Sequence, residues 1–107
     1  MERLTPAEEK VMLKLWDLQK ATVKEIVDLY MDPKPAYNTV STIVRILERK
    51  KFIKHKPVGR GYIYMPKIEK EAYRDYLAEY MLKHYFNANK NEVVSFYNSR
   101  VSLTDIL

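Results

Sequence analysis

Apolar and polar positions follow helical spacing through the first half of the chain. A capping box at 5–8, with proline at the first helical position, predicts a helix from Pro6 to near Gln19. A second capping box at 22–25 predicts a short helix that ends near Met31, where two prolines interrupt the chain. Two short helices separated by two or three residues therefore open the fold.

A third helix is predicted between Ala36 and Lys51. Its apolar positions recur every three or four residues and can pack inward: Val40, Ile43, Val44 and Leu47. The opposite face is polar and becomes basic toward its end: Asn38, Ser41 or Thr42, Arg45 and Arg49. Because Asn, Ser and Thr are mediocre helix formers, this face indicates selection for something other than helix propensity.

The pattern after the third helix changes from helical to extended. Residues 52–56 alternate and residues 62–65 are rich in β-formers, so we predict two strands joined by a turn over 57–61 that contains both glycines. A long helix over 68–86 and a short one over 92–98 follow. The predicted fold is mainly α with a small β-hairpin.

The predicted C-terminal helices carry an aromatic and apolar stripe. Such a stripe is more often packing than a ligand pocket, and a symmetric second copy is the simplest means of burying it. We therefore expect these residues to form a dimer interface: Tyr73, Tyr76, Leu77, Tyr80, Met81, His84, Val93, Val94, Phe96 and Tyr97.

Composition excludes several classes of site. The chain has 107 residues, enough for one hydrophobic core, and no cysteine, which excludes disulfides, thiolate metal sites and cysteine nucleophiles. Only two histidines are present, and there is neither a glycine-rich phosphate loop nor a nucleophile elbow, so we expect no metal, no cofactor and no enzyme activity. With no signal peptide or apolar run of membrane-spanning length, we expect a cytoplasmic protein without membrane insertion.

Positive charge is concentrated in one segment. The net charge is +5, yet residues 45–60 contain seven basic residues and one acid, so the rest of the chain sums to about −1. Three helices followed by a hairpin with a basic loop is the element order of a winged helix-turn-helix, whose third helix enters the DNA major groove. The candidate DNA-binding residues are Tyr37, Asn38, Thr39, Ser41, Thr42 and Arg45 on the helix, and Arg49, Lys50, Lys54, Lys56 and Arg60 for phosphates.

Two other interpretations remain open at this point. In the first, the basic hairpin of a winged-helix interaction module contacts an acidic protein instead of DNA. In the second, the chain is a transcriptional regulator that responds to a small molecule. Equal binding to random DNA would favour the former, and release of DNA by a ligand would favour the latter.

Several segments resemble the BlaI/MecI/CopY-type penicillinase repressors: Leu4–Glu8, Tyr37–Ile43, Leu47–Lys50 and Gly59–Pro66. The resemblance covers nearly the whole chain. It implies a homodimer in which an N-terminal winged helix, residues 1–67, binds a palindromic operator and a helical region, residues 68–107, forms the dimer contact. Members repress genes for antibiotic response or metal homeostasis.

The resemblance also implies a mode of inactivation. Several members are cleaved within the dimerisation helices when a membrane sensor protease is triggered, and by position the bond would lie near Ser95 and Phe96. This chain departs from the family in having Lys51 where a glycine usually follows the lysine that ends the third helix, so a non-glycine residue or a different turn must stop that helix. It also lacks the cysteines of the copper-responsive branch. A further cap at 102–105 is expected to open a last helix that the chain leaves incomplete.

Overall fold

A computed structural model describes residues 1–100, which form two compact units, the first Met1–Lys70 and the second beginning at Glu71. The predicted cap at 102–105 lies outside the described residues. The expected mainly helical fold with one β-hairpin is confirmed. Its elements in chain order are α1 (Pro6–Leu18), α2 (Val23–Asp28), α3 (Tyr37–Arg49), β1 (Ile53–Val58), β2 (Gly61–Pro66), α4 (Lys70–Tyr85) and α5 (Lys90–Arg100).

Both capping boxes open their helices as predicted. The Thr5 hydroxyl accepts a hydrogen bond from the Glu8 amide at 3.2 Å, and the Glu8 carboxylate accepts one from the Thr5 amide at 2.9 Å. The corresponding pair at α2 has the same two distances. The second helix ends at Asp28, earlier than predicted, because the next two amides bond three residues back and tighten the last turn.

The core of the first unit lies among the three helices and the base of the hairpin. Ile43, predicted to point inward with its three neighbours, is only half-buried. The indole Nε1 of Trp16 donates to the Ile68 carbonyl oxygen at 2.9 Å and holds the segment after β2 against α1. The largest fully buried side chains are Val11, Met12, Leu15, Ile26, Val40, Val44, Leu47, Phe52 and Ile53.

The hairpin is longer and tighter than predicted. Its antiparallel register places Val58 opposite Gly61, so the turn consists of Gly59 and Arg60 alone. Only Gly59 needs a positive φ, at 60°, whereas Gly61 lies within β2. Positive φ at the first central residue alone is the pattern of a type II′ turn, which matches the twist of the two strands.

A short backbone pairing that sequence spacing did not predict connects the hairpin to the helices. Ala21, between α1 and α2, pairs with Tyr64 of β2: each amide donates to the other's carbonyl oxygen, at 3.0 and 2.8 Å. This pairing anchors β2 to the helical part of the first unit.

The second unit contains most of α4 and all of α5. Asn87 and Ala88 adopt positive φ between the helices, and the Asn89 side-chain oxygen accepts hydrogen bonds from the amides at 91 and 92. This cap begins α5 two residues earlier than predicted, and the helix continues to Arg100. Within the unit the rings of Phe86 and Phe96 meet edge to face, with centroids 5.4 Å apart.

Candidate nucleic-acid interface

Helix α3 presents a continuous polar face to solvent. One stripe of exposed side chains runs along it, Asn38, Thr42, Arg45 and Arg49, with Tyr37 and Thr39 beside its first turn. Ser41 is half-buried, so Thr42 is the member of the predicted Ser41 or Thr42 pair that lies on this face. The N-cap of α3 is Ala36, with no side-chain cap, so the polar side chains of its first turn are not used for capping.

The hydroxyl group of Thr42 is already used as a hydrogen-bond donor within α3. Its hydroxyl donates to the Asn38 carbonyl oxygen at 2.9 Å, one turn earlier in the helix. The hydroxyl hydrogen is therefore occupied, whereas the lone pairs and the methyl group remain exposed. Such a side chain can accept a hydrogen bond from a base amino group or contact a thymine methyl.

Five of the predicted phosphate and base contacts are exposed cations with no salt bridge among residues 1–100: Arg45, Arg49, Lys54, Lys56 and Arg60. Lys54 and Lys56 lie on the same face of β1, since side chains two residues apart share a face of a strand. Arg60 is in the turn at the tip. Positive charge thus extends from the end of α3 along the hairpin.

Lys50 is placed differently from the other predicted phosphate contacts. Its ammonium lies 2.9 and 3.2 Å from the two carboxylate oxygens of Glu8, which is 5% exposed. Burial raises the pKa of Glu8, but hydrogen bonds from Thr5 and Lys50 and the Lys50 charge outweigh it, and the pKa falls below its usual value. The pKa of Lys50 is raised, mainly by its hydrogen bond to Glu8.

The Lys50 ammonium therefore joins the end of α3 to the start of α1. This ion pair gives Lys50 a structural role that the other predicted phosphate contacts do not have. The pair was missed from the sequence because its partners are 42 residues apart. The only sequence signal was the capping box, which makes Glu8 the third residue of α1 and keeps its carboxylate beside the start of the helix.

Helix α3 ends at a residue with positive φ, although that residue is Lys51 and not glycine. Lys51 adopts φ of 69°, its amide donates to the Glu48 carbonyl oxygen at 3.0 Å, and the Phe52 amide donates to that of Leu47 at 2.9 Å. These two bonds make a Schellman motif, which normally places glycine in the left-handed position. A non-glycine residue stops the helix, which was one of the two outcomes left open.

Glu48, the one acid in the basic segment, contacts the hairpin. Its carboxylate and the Nδ1 atom of His55 on β1 are hydrogen-bonded. The His55 ring packs edge to face on Tyr62, with centroids 5.0 Å apart, and lies 5.8 Å from the ring of Tyr64. The pKa of Tyr64 is raised, mainly by burial and to a smaller extent by the negative charge of Glu48.

The family model described as penicillinase repressor matches residues 4–107. The chain belongs to the penicillinase repressor family. Membership agrees with the resemblance carried by the motifs of α3 and the hairpin. No curated protein sequence matches the chain.

The chain is also similar in structure to TrmBL2, an archaeal chromatin protein described as showing a novel mode of DNA binding. The TM-score is 0.52 at 17% identity, and the match covers 94% of this chain and 38% of that chain. The similarity concerns the fold, and the repressor spans well under half the length of TrmBL2.

In the second unit of the repressor, the predicted dimer residues differ in exposure. Tyr73 is already buried in the single chain. Four of the others are half-buried: Tyr76, Leu77, Tyr80 and Val93. The remaining five are exposed: Met81, His84, Val94, Phe96 and Tyr97. Ser95 and Phe96, the predicted cleavage position, lie within α5 and line a groove of about 590 Å³.

Neither a metal site nor a membrane span is found in the part of the repressor that the structure describes. Across residues 1–100, no group of three or more His, Asp or Glu side chains is placed to hold a metal ion. No helix in the same range is long and apolar enough to cross a membrane.

Proposed function

We propose that this repressor binds a palindromic operator in the cytoplasm as a homodimer, without catalytic activity. The observation that carries the proposal is the exposed stripe Asn38, Thr42, Arg45 and Arg49 on α3, which continues into cations without salt bridges on the hairpin. A helix with this face fits the major groove, and the hairpin then lies along the phosphate backbone.

The proposed base contacts follow from side-chain chemistry. Asn38 has the amide that pairs with adenine, and Arg45 has the guanidinium fork that pairs with guanine. Thr42 acts as an acceptor or a methyl contact, because its hydroxyl hydrogen is donated within the helix. Tyr37 and Thr39 extend this surface at the first turn, and half-buried Ser41 lies at its margin.

The proposed phosphate contacts are Arg49, Lys54, Lys56 and Arg60. These contacts position the protein without reading sequence, and each displaces condensed counterions from DNA. With a dimer doubling the number, we expect affinity to fall about a thousandfold or more between 50 and 200 mM salt. A salt-independent affinity would contradict the proposal.

Dimerisation is proposed to occur through α4 and α5. Their exposed apolar side chains include Met81, Tyr85, Val94, Phe96 and Tyr97, a large apolar surface for a chain of this size. Sedimentation equilibrium should give twice the chain mass of 12.8 kDa. Cleavage near Ser95 and Phe96 by a membrane sensor protease would divide this surface and release the operator.

Selection of bound sequences from a random DNA pool tests the proposed function most directly. We expect an inverted repeat whose half-sites are about one helical turn, 34–36 Å, apart. If no consensus emerges and random duplexes bind equally well, the winged helix instead serves as a protein-interaction module.

A further inference from the structure

The two strands of the hairpin are attached to the rest of the first unit in different ways. β2 is fixed by backbone hydrogen bonds between Tyr64 and Ala21. β1 leaves the core at buried Ile53, and every residue from Lys56 to Gly61 is exposed. Beyond Ile53, β1 is held by its pairing with β2 and by any side chain that connects it to the helices, and both influence the orientation of the hairpin tip.

The Glu48–His55 hydrogen bond holds β1 at that point. His55 is two residues beyond Ile53 and on the same face of the strand, the face turned toward α3. Within residues 1–100, we find no other side-chain hydrogen bond between α3 and the hairpin. The His55 ring packs against the rings of Tyr62 and Tyr64, and this packing orients it toward Glu48.

The charge of Glu48 is unexpected on this surface. It is the one acid among seven basic residues between positions 45 and 60, and its side chain is 32% exposed. A carboxylate beside DNA phosphates opposes binding unless it has another role. Its hydrogen bond to the hairpin supplies such a role.

We propose that Glu48 and His55 are positioning residues: their hydrogen bond sets the orientation of the hairpin relative to α3 and so determines which phosphates Lys56 and Arg60 reach. The proposal rests on the proposed binding of DNA by α3 and the hairpin. The end of β1, next to the turn that carries Arg60, lies three residues beyond His55, about 10 Å at the usual rise of a strand, so a tilt of roughly 15° moves it by about 2.6 Å. That displacement is enough to break a hydrogen bond to a phosphate.

Two substitutions of His55 separate the hydrogen bond from ring packing. His55→Phe keeps a ring against Tyr62 and Tyr64 but removes the donor. His55→Asn loses the ring but keeps an amide nitrogen near the position of Nδ1. The full chain is titrated with the selected palindrome over a salt series at one fixed pH.

We expect His55→Phe to weaken binding about five- to tenfold and to make the slope of log affinity against log salt shallower by about two to four. Hydroxyl-radical footprints should lose protection at the flanks, where the hairpins lie, and keep it over the major-groove half-sites. His55→Asn should retain most of the affinity and the slope. Melting temperatures of both variants, measured alongside, verify that the chains are folded.

Glu48→Gln tests the other partner of the hydrogen bond, the Glu48 carboxylate. Asp28→Asn is its matched control, because it removes a carboxylate from an exposed ion pair on α2. We expect Glu48→Gln to weaken binding and to add little to His55→Phe in the double variant. The proposal is overturned if His55→Phe binds like the wild type, if His55→Asn is the weaker variant, or if Glu48→Gln tightens binding as a mere loss of negative charge would. Failure of the wild type to bind any palindrome would instead refute the proposed function.

Discussion

Replacing Lys51 with glycine should stabilise the protein. Lys51 has φ of 69° in the Schellman motif that ends α3. A left-handed conformation costs a residue with a β-carbon about 1–2 kcal/mol, and glycine avoids this at an entropic cost of about 0.5–1 kcal/mol. We therefore expect Lys51→Gly to raise the free energy of unfolding by about 0.5–1 kcal/mol, or roughly 2–8 °C in melting temperature for a unit of this size.

Lys51→Ala is the control, because it removes the same charge and keeps the left-handed strain. Unfolding in urea can be followed by the fluorescence of Trp16, the one tryptophan of the chain, which is buried in the first unit. All variants are compared at equal concentration, since dimerisation makes the apparent stability concentration-dependent. If the glycine variant is no more stable than the alanine variant, the left-handed conformation of Lys51 carries no cost and the reasoning is refuted.

Four further predictions concern the Glu8–Lys50 ion pair, the hairpin turn and, in two variants, the proposed DNA interface. Because the folded-state pKa of Glu8 is lowered, its contribution to stability is present at neutral pH and lost as the pH falls through that value; unfolding curves of Glu8→Gln should therefore depend less on acid pH than those of the wild type. Gly59→Ala meets no atom within 4 Å but places a β-carbon at φ of 60°; after the entropic cost of glycine is subtracted, we expect a loss of about 0.5–1 kcal/mol in chemical denaturation, and a loss near zero would show that the turn changes type. In DNA titrations, Arg45→Ala should cost about 1–3 kcal/mol and relax the preference at one base position. Lys56→Ala should instead weaken all sequences alike, and a change of preference in that variant would contradict its assignment to a phosphate.

Local chemistry explains why two features could be predicted: the residues at which the helices begin, and the polar face of α3. A capping box and an apolar period are each complete within a few residues, so Thr5 with Glu8 and Thr22 with Glu25 determine where α1 and α2 begin. The ends of elements were predicted less well. The hairpin turn was placed over five residues because its composition allows it, whereas strand pairing extends each strand and leaves only Gly59 and Arg60 unpaired.

The roles of charged side chains could not be predicted with the same accuracy. Lys50 and Lys56 are alike in the sequence, as two lysines of one basic segment. In the folded chain, Lys50 meets a buried carboxylate from the start of α1, and Lys56 extends into solvent on the hairpin. The difference depends on a partner 42 residues away.

The amino-acid sequence by itself determined the element order, the amphipathic face of α3, the confinement of positive charge to residues 45–60 and the family, because each of these depends on neighbouring residues or their order. Only the tertiary structure decided which cations are free, how Ala21 anchors β2, and that the lone acid Glu48 contacts the hairpin through His55. The physical reason is distance along the chain: helical periods and caps are local, whereas ion pairs and strand pairing join residues that only folding brings together.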